Sequence, residues 1–508
     1  LLPQGHEGSS PSSPTMSHQD FFKGKRVTLM GLGLLGRGLG DAIFLAEHGA
    51  ELIVTDIRDE KTLAPSLAKL QRYRNIRYTI GKHKLEDFRN RDFILKAAGV
   101  ALDSPYIAEA VKNKIPVEMD ASLFAKLMPK GVTLVGVTGT RGKSTTTALI
   151  YDILSATNRS TQSTTIPLNA KRSVYKGGNL VPEATLPLLE KVKSGDIVVL
   201  ELDSWQLQGF HDTKISPQVA VFTTFLDDHL VYYRYGSLTA SRRKYFADKT
   251  AIFKYQKRGG TLIIGEQTSL RFNLKSGKRL NLGNKGQTLK IARVSDIPAG
   301  WNLQLLGKHN RENVACAIAA ARALKAPEFV IKKAVESFRG VPGRLEYLRT
   351  VRGVKIYNDN NATTPDATIA GLKALSTKSQ APNPKQIKNP KSQKEEKIIL
   401  IMGGTDKGLD MNKLVAEIPK HCKAVVMLKE TGTDKFFSEI PLNKGGAESA
   451  RRGLFIIKET LRECVEEAMK LAKKGDIVLF SPAFASFGRW FKNEYDRGAQ
   501  FVELVKQL

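Results

Sequence analysis

Short apolar runs alternate with longer stretches of helical periodicity along most of the chain. "KRVTLMGLG" is an apolar run ending in glycines; "LLGRGLGDAIFLAEHG" then carries apolar positions at helical spacing, with Gly49 near its end. "AELIVTD", "DFILKAAG" and "IPVEMD" return to the first pattern. Runs of that length, apolar at nearly every position, predict strands buried on both faces, and helices between them predict parallel pairing. The pattern restarts at "GVTLVGVTGT" and continues through "DIVVLEL", "QVAVFTTF" and "GGTLIIG" to the helix "NRENVACAIAAARAL". It starts again near "VPGRLEYLRTVRGVKIYND" and runs through "EKIILIMGG", "KAVVML", "GLFII" and "DIVLFSP". The chain is therefore expected to be α/β, with three doubly wound domains over 21–129, 130–342 and 343–508.

Composition narrows the class. Residues 1–20 are rich in Ser, Pro and Gly and lack the apolar core of a leader peptide, so a disordered tail, or sequence upstream of a start at Met16, is expected there. A Lys/Pro/Gln/Asn-rich stretch over 377–396 is expected to be a mobile surface loop. No run of 18 apolar residues exists, so no membrane span is expected. The three cysteines, Cys316, Cys422 and Cys464, show neither metal spacing nor a disulfide framework, which fits a reducing cytoplasm. Net charge is +29, from 79 basic and 50 acidic residues. Apart from one dense run near 384–397, the basic residues are spread along the chain without interleaved aromatics, which fits a lysine-rich composition with anionic small substrates better than nucleic acid. A monomer is expected.

Two glycine loops carry the first chemistry. Gly31-x-Gly33-x-x-Gly36 follows a strand and opens a helix, with Asp56 20 residues beyond Gly36. Backbone N–H groups and a helix N-terminus can approach any pyrophosphate there, so NAD, FAD or a UDP-sugar would all fit, as would a plain turn tightening helix on strand. The second loop, "VGVTGTRGKSTTT", has Val137 where the common phosphate loop has glycine. It leaves a shortened Gly139-x-x-Gly142-Lys143-Ser144. Strand, loop and helix in that order let N–H groups and the helix dipole face a triphosphate, with Lys143 as a point charge and the Ser144 hydroxyl available to Mg²⁺. Downstream, Glu201 ends an apolar strand with Asp203 two residues on, the place for a Mg²⁺ ligand. His229 follows another strand as a structural histidine or a ligand to a second ion. Lys249 in "YFADKTAIF" reads by itself as a solvated lysine.

Together these pieces resemble a family. "TGTRGKST", "GGN", "LELDSWQL", "DDHL", "YFADK", "GKHNRENVACA", "GVPGRLE", "YNDNNATTPDAT", "MGGTDKG" and "SPAFASFGRWFKNEYDRG" occur in the order found in the Mur ligases, from about Lys23 to the end. The resemblance implies a Rossmann-like N-terminal domain, a central P-loop ATPase-like parallel sheet and a Rossmann-like C-terminal domain. It implies an ATP- and Mg²⁺-dependent ligase of peptidoglycan precursor synthesis. Such an enzyme phosphorylates the carboxylate of UDP-N-acetylmuramoyl-L-alanine and lets the amine of D-glutamate attack the acyl phosphate. Lys143, Glu201, His229 and Lys249 would be the catalytic set. Ser144, Glu201 and His229 would be metal ligands, and Lys249 matches the lysine that this family carbamylates into one. Gly139, Thr140, Arg141, Gly142, Lys143, Ser144 and Thr145 would hold phosphates. Asn179 and Asn310, with His309 nearby, would contact adenine, and Arg344 and Asp359 the nucleotide. Thr363, Lys407, Ser486 and Phe487 would hold D-glutamate, and Gly33, Leu34, Asp56, Ile57 and Arg58 the UDP group.

The chain departs from the family pattern at Asp203, Thr224, Val231 and Asn361, where Ser, Asn, a polar residue and often Lys are usual, and the His229 to Lys249 spacing is long. Three other readings stay open. An NAD-dependent oxidoreductase would use the first loop but leaves the second loop and Lys407 without a task. A phosphate-loop switch or motor would need a base-reading Asn-Lys-x-Asp, which is not visible. A ligase of the same family adding another amino acid fits every motif.

Overall fold

The computed structural model of the protein describes residues 18–34, 36–160, 172–180, 182–226, 233, 237–271, 286–376, 397–439, 454–486 and 488–508. Residues 1–17, the expected loop over 377–396, His229, Val231 and Phe487 lie outside them. Residues 18–20, within the stretch expected to be disordered, belong to a short helix that spans His18–Phe22. Phe22 is fully buried, edge-on to Phe44 at 5.4 Å, and burial of an aromatic ring outweighs the entropy of ordering one helical turn.

Three sheets form. The first contains β1 (Arg26–Met30), β2 (Glu51–Asp56), β3 (Ile76–Ile80), β4 (Phe93–Lys96) and β5 (Val117–Glu118), all parallel, in the order β3-β2-β1-β4-β5. The second contains β6 (Thr133–Thr138), β7 (Val174–Gly178), β8 (Ile197–Glu201), β9 (Val219–Phe222), β10 (Thr261–Gly265) and β11 (Thr288–Ala292), in the order β11-β10-β9-β6-β8-β7. The third contains β12 (Glu346–Val351), β13 (Val354–Asn358), β14 (Ile398–Met402), β15 (Cys422–Leu428), β16 (Phe455–Lys458) and β17 (Ile477–Phe480), in the order β12-β13-β17-β14-β15-β16. Its one antiparallel pairing is β12 with β13, a hairpin closed through Arg352 and Gly353. Apolar alternation explains the sequence pattern: Ile399 and Ile401 of β14 face one core, and Ile398, Leu400 and Met402 face another. A strand covered on both faces has no polar side to show.

The described residues of 1–143 and 154–291 make one compact unit, and those of 144–153 and 292–508 make another. Within the first, one apolar core runs from Phe22, Val27 and Leu52 through Leu123 and Phe124 to Leu134, Leu200 and Phe222. Within the second, the helix Lys308–Ala323 meets the inner turns of the helix Lys143–Ser160, where Thr146 Oγ1 donates to the Asn313 carbonyl at 3.4 Å. All three cysteines are buried, and burial pushes the Cys316 and Cys464 thiols up to about 12.

The helix Arg37–Glu47 of the first sheet lies against residues 179–186 of the second. Contact is close enough to require Gly40, since a Cβ there would come within 2.9 Å of the Ala184 Cβ. Beside it, Asp120 accepts from the backbone N–H of Thr185 at 2.9 Å and of Leu186 at 2.7 Å. Asp41 hydrogen-bonds Asp120 and is itself fully enclosed, so its carboxyl is pushed well above the usual range, first by burial and then by the Asp120 charge. Two carboxyls in such contact share one proton. The sign follows from linkage. A group whose folded value exceeds its unfolded 3.8 stabilises fully below that pH, and the contribution is lost as pH rises toward the folded value. Asp41→Asn keeps a donor to Asp120 without the titration. Its melting temperature should therefore gain on the wild type as pH rises above the unfolded 3.8 in a thermal-melt series; a gap that does not change with pH would refute the shared proton.

Candidate active site

Each sheet carries its singled-out residues at the carboxyl ends of its strands, where an open parallel sheet forms its ligand crevice. In the first sheet the order reverses between β1 and β4. Gly31, Gly33 and Gly36 follow β1, all with positive φ. Asp56, at the end of β2 and only 1% exposed, accepts from Gly33 N and Arg58 N, each at 2.9 Å, and pairs with Arg58 Nη1 at 3.2 Å. Gly33, Asp56 and Arg58 thus meet at one strand end. Leu34 and Ile57 stand 42% and 66% exposed at the rim, apolar surface suited to the face of a planar base.

In the second sheet the loop 139–142 follows β6, flanked by β8 and β9. A Cβ on Gly139 would overlap Thr223 Oγ1 at 2.0 Å, so the loop approaches β9 only because that residue is glycine. Thr224 closes it. Its carbonyl accepts from Thr140 N at 2.7 Å, and its hydroxyl accepts from Arg141 N at 2.8 Å. The threonine at this departure from the family pattern is therefore a brace for the loop. Lys143 opens the helix Lys143–Ser160, with Ser144 and Thr145 next, both nearly buried. Lys143 Nζ donates to the Gly139 carbonyl at 3.1 Å and the Thr140 carbonyl at 3.3 Å. Lys249, 1% exposed on the helix Leu238–Lys254, is no solvated lysine. Its Nζ donates to the same Gly139 carbonyl at 3.0 Å and lies 4.9 Å over the Tyr245 ring.

Glu201 ends β8 at 2% exposure, and its Oε2 has no hydrogen-bond partner among the described residues. A buried acceptor-only oxygen near the 139–142 loop fits an oxygen-seeking cation such as Mg²⁺. Lys249 as an ammonium does not fit; as a carbamate it would offer oxygens. No cluster of three or more His, Cys, Asp or Glu side chains suited to a metal occurs among the described residues. Asp203, another departure, exchanges bonds with Gln206 at the start of the helix Gln206–Thr213: Gln206 N donates to Asp203 Oδ1 at 2.8 Å and Asp203 N to Gln206 Oε1 at 3.1 Å. Asn179 is bonded to the head of the first-sheet helix. Arg37 donates through Nη1 to its Oδ1 at 2.9 Å and through Nη2 to its carbonyl at 3.2 Å.

In the third sheet, β13, β14 and β17 lead into residues 359–363, 403–407 and 481–486. Lys407 Nζ donates to Thr363 Oγ1 at 3.0 Å, and Ser486 is 4% exposed just past a bridge between Thr405 and Ala485. Asn361 donates through Nδ2 to the Pro342 carbonyl at 3.3 Å and through its N–H to the Gly343 carbonyl at 2.9 Å, so it ties two loops rather than supplying a charge. Asp359 accepts from Leu345 N at 3.0 Å and Ser481 Oγ at 2.9 Å; burial outweighs these bonds and the nearby Arg344, pushing its carboxyl up to about 7. Asn310 is buried at the head of the helix Lys308–Ala323, and His309 is exposed beside it.

Sequence reasoning missed Arg37 and Arg497. Arg497 is fully buried and donates to Asn360 Oδ1 at 2.7 Å, the Asn360 carbonyl at 2.9 Å, and the Phe484 and Ala485 carbonyls at 3.2 and 3.1 Å. It locks the loops after β13 and β17 together. An arginine inside the apolar spacing of a terminal helix was the only signal.

Comparison with known proteins identifies the family. The model of the Mur ligase MurD-like N-terminal domain matches residues 25–118, that of the Mur ligase middle domain 137–321, and that of the Mur ligase glutamate ligase domain 343–484. The chain belongs to the Mur ligase family. Among its relatives, UDP-N-acetylmuramoylalanine--D-glutamate ligase of Borreliella burgdorferi (strain ZS7) is 30% identical over 96% of this chain and 99% of its own. The enzyme of that name from Roseiflexus sp. (strain RS-1) is 32% identical over 96% and 99%. In fold, the chain is similar to the UDP-N-acetylmuramate-alanine ligase MurC of Thermotoga maritima, with a TM-score of 0.56 at 20% identity over 95% of this chain and 99% of that one.

Asp359 offers a direct check. Its raised carboxyl holds a proton below about pH 7, so the stability that proton brings is lost as pH rises through that value. Ser481→Ala removes a donor to the ionised form and should move the titration upward, read from the carboxyl carbon by NMR; a downward or absent shift would contradict the arrangement.

Proposed function

We propose that the protein is an ATP-dependent ligase that joins D-glutamate to UDP-N-acetylmuramoyl-L-alanine, in peptidoglycan precursor synthesis. The observation that carries the reading is the convergence of Lys143 and Lys249 on one carbonyl oxygen, at 3.1 and 3.0 Å. Two ammonium groups held within about 6 Å of each other repel by roughly 3 kcal/mol at an effective dielectric near 20. A bound polyphosphate would relieve that repulsion, and so would carbamylation of Lys249. The near full-length likeness to curated D-glutamate ligases supports the substrate pair.

The chemistry follows from the groups present. A carboxylate is a poor electrophile, so an oxygen of the alanyl carboxylate attacks the γ-phosphorus of ATP and ADP leaves. Lys143 and the N-terminus of its helix hold the phosphoryl oxygens while charge moves between them. Mg²⁺, held by Ser144, Glu201, His229 and a carbamylated Lys249, would neutralise the phosphates as they approach the carboxylate. Lys407 and Thr363, with Ser486 and Phe487, would hold the side-chain carboxylate of D-glutamate; its amine, after losing a proton, attacks the acyl carbon and expels phosphate. Asp359, Arg344 and Asn310 would hold the nucleoside. Gly33, Leu34, Asp56, Ile57 and Arg58 would hold the UDP group, and the bonds from Arg37 favour giving Asn179 to this sugar nucleotide rather than to adenine.

Phosphate release from ATP, Mg²⁺ and UDP-N-acetylmuramoyl-L-alanine across a panel of amino acids tests the reading. D-Glutamate should give turnover, and turnover with another amino acid in its place would sink the specificity. Lys143→Ala should lower kcat by at least about 100-fold, the scale of losing one transition-state charge contact. Lys407→Met should raise the KM for D-glutamate by about 10- to 100-fold while leaving that for ATP near wild type, as loss of a charge-assisted contact does.

A further inference from the structure

Arg37 is the first residue of the helix that follows the Gly31–Gly36 turn. Its two terminal nitrogens both reach Asn179, one on the side-chain oxygen at 2.9 Å and one on the carbonyl at 3.2 Å. A guanidinium fork on two oxygens of one residue fixes both the position and the rotamer of that residue. Asn179 in turn donates its backbone N–H to the Glu201 carbonyl at 2.8 Å. An unbroken line of hydrogen bonds therefore runs from the head of the first-sheet helix, at the first crevice, to the strand end that carries Glu201.

We propose that Arg37 is a positioning residue for the ligase reaction: it sets the Asn179 side chain over the sugar-nucleotide crevice and ties that crevice to the Glu201 strand end. The inference rests on the proposed function, since it takes Asn179 as a contact of the sugar nucleotide. Arg37 acts through Asn179 and needs no contact of its own with the reacting atoms. An arginine is suited where a lysine is not. A single ammonium cannot span two acceptors with the planar fork that holds the amide in one rotamer.

The joint around Arg37 has other anchors. Gly40 packs on Ala184, and Asp120 holds the N–H groups of Thr185 and Leu186. Gly40 lies one turn along the helix from Arg37, Asp120 opens the helix Asp120–Leu127, and neither anchor uses the guanidinium, so replacing Arg37 leaves the helix docked. The segment bearing Asn179 stays in place while its side chain loses its restraint.

The test compares the full-length wild type with Arg37→Met, Arg37→Lys, Asn179→Ala and the Arg37→Met/Asn179→Ala double variant. Three quantities are read: the Kd for UDP-N-acetylmuramoyl-L-alanine by calorimetry, the KM for ATP and the melting temperature. Arg37→Met should weaken sugar-nucleotide binding by about tenfold and leave the KM for ATP within twofold. Arg37→Lys should recover part of the loss, and Arg37→Met should add nothing in the Asn179→Ala background. A purely structural arginine would instead lower the melting temperature with no change in Kd. The proposal is overturned by that result, by an unchanged Kd for Arg37→Met, or by effects of the two substitutions that simply multiply. A wild type that neither binds nor turns over the sugar nucleotide would instead overturn the assigned reaction, which separates the two failures.

Discussion

The carbonyl oxygen of Gly139 accepts from two ammonium groups, Lys143 at 3.1 Å and Lys249 at 3.0 Å, and the central sheet is arranged around that demand. The residue cannot carry a side chain, because Thr223 stands where a Cβ would go. Thr224 then pins Thr140 and Arg141, so the loop is held from β9 rather than by its own turn. Across the sheet, β6 pairs with β8 in a register that sets Val137 opposite Glu201, which brings an unpartnered carboxylate oxygen to the same edge as the two cations.

The same economy recurs in the other sheets. Asp56 is buried under the first crevice and fastens Gly33 and Arg58; Arg497 is buried under the third and fastens the loops after β13 and β17. In each case a polar side chain is kept from water and satisfied largely by backbone groups of the loops around it. Rigid support of this kind keeps loops that carry chemistry from sampling unproductive shapes. The departures from the family pattern at Asp203, Thr224 and Asn361 belong with it, for each is engaged in holding a loop or a helix end.

What the sequence made legible was local. Strands such as "KIILIM" read clearly because both faces are covered, leaving nothing polar to break the run. The two glycine loops read clearly because their backbone needs glycine at fixed intervals. What stayed hidden was pairing across long separations. Arg37 and Asn179 are 142 residues apart, and Arg497 and Asn360 are 137 apart, so no periodicity links them. The antiparallel hairpin of β12 with β13 hid for a related reason: strand direction follows from where the chain turns at Arg352 and Gly353, not from which residues are apolar. The Lys249 side chain gave no hint of burial, because a lysine inside a helix is usually at the surface.

Burial of all three cysteines has a practical consequence. Their thiols hold their protons far above neutrality and lie inside packed cores, so they offer almost no thiolate to an electrophile. The chain is in effect a blank background for sulfur chemistry. A cysteine introduced at the exposed Ile57, or at another rim position, would stand out as the reactive one. Pairs of such labels, one on each compact unit, would let their separation be followed by spectroscopy as substrates are added, without first stripping the native residues.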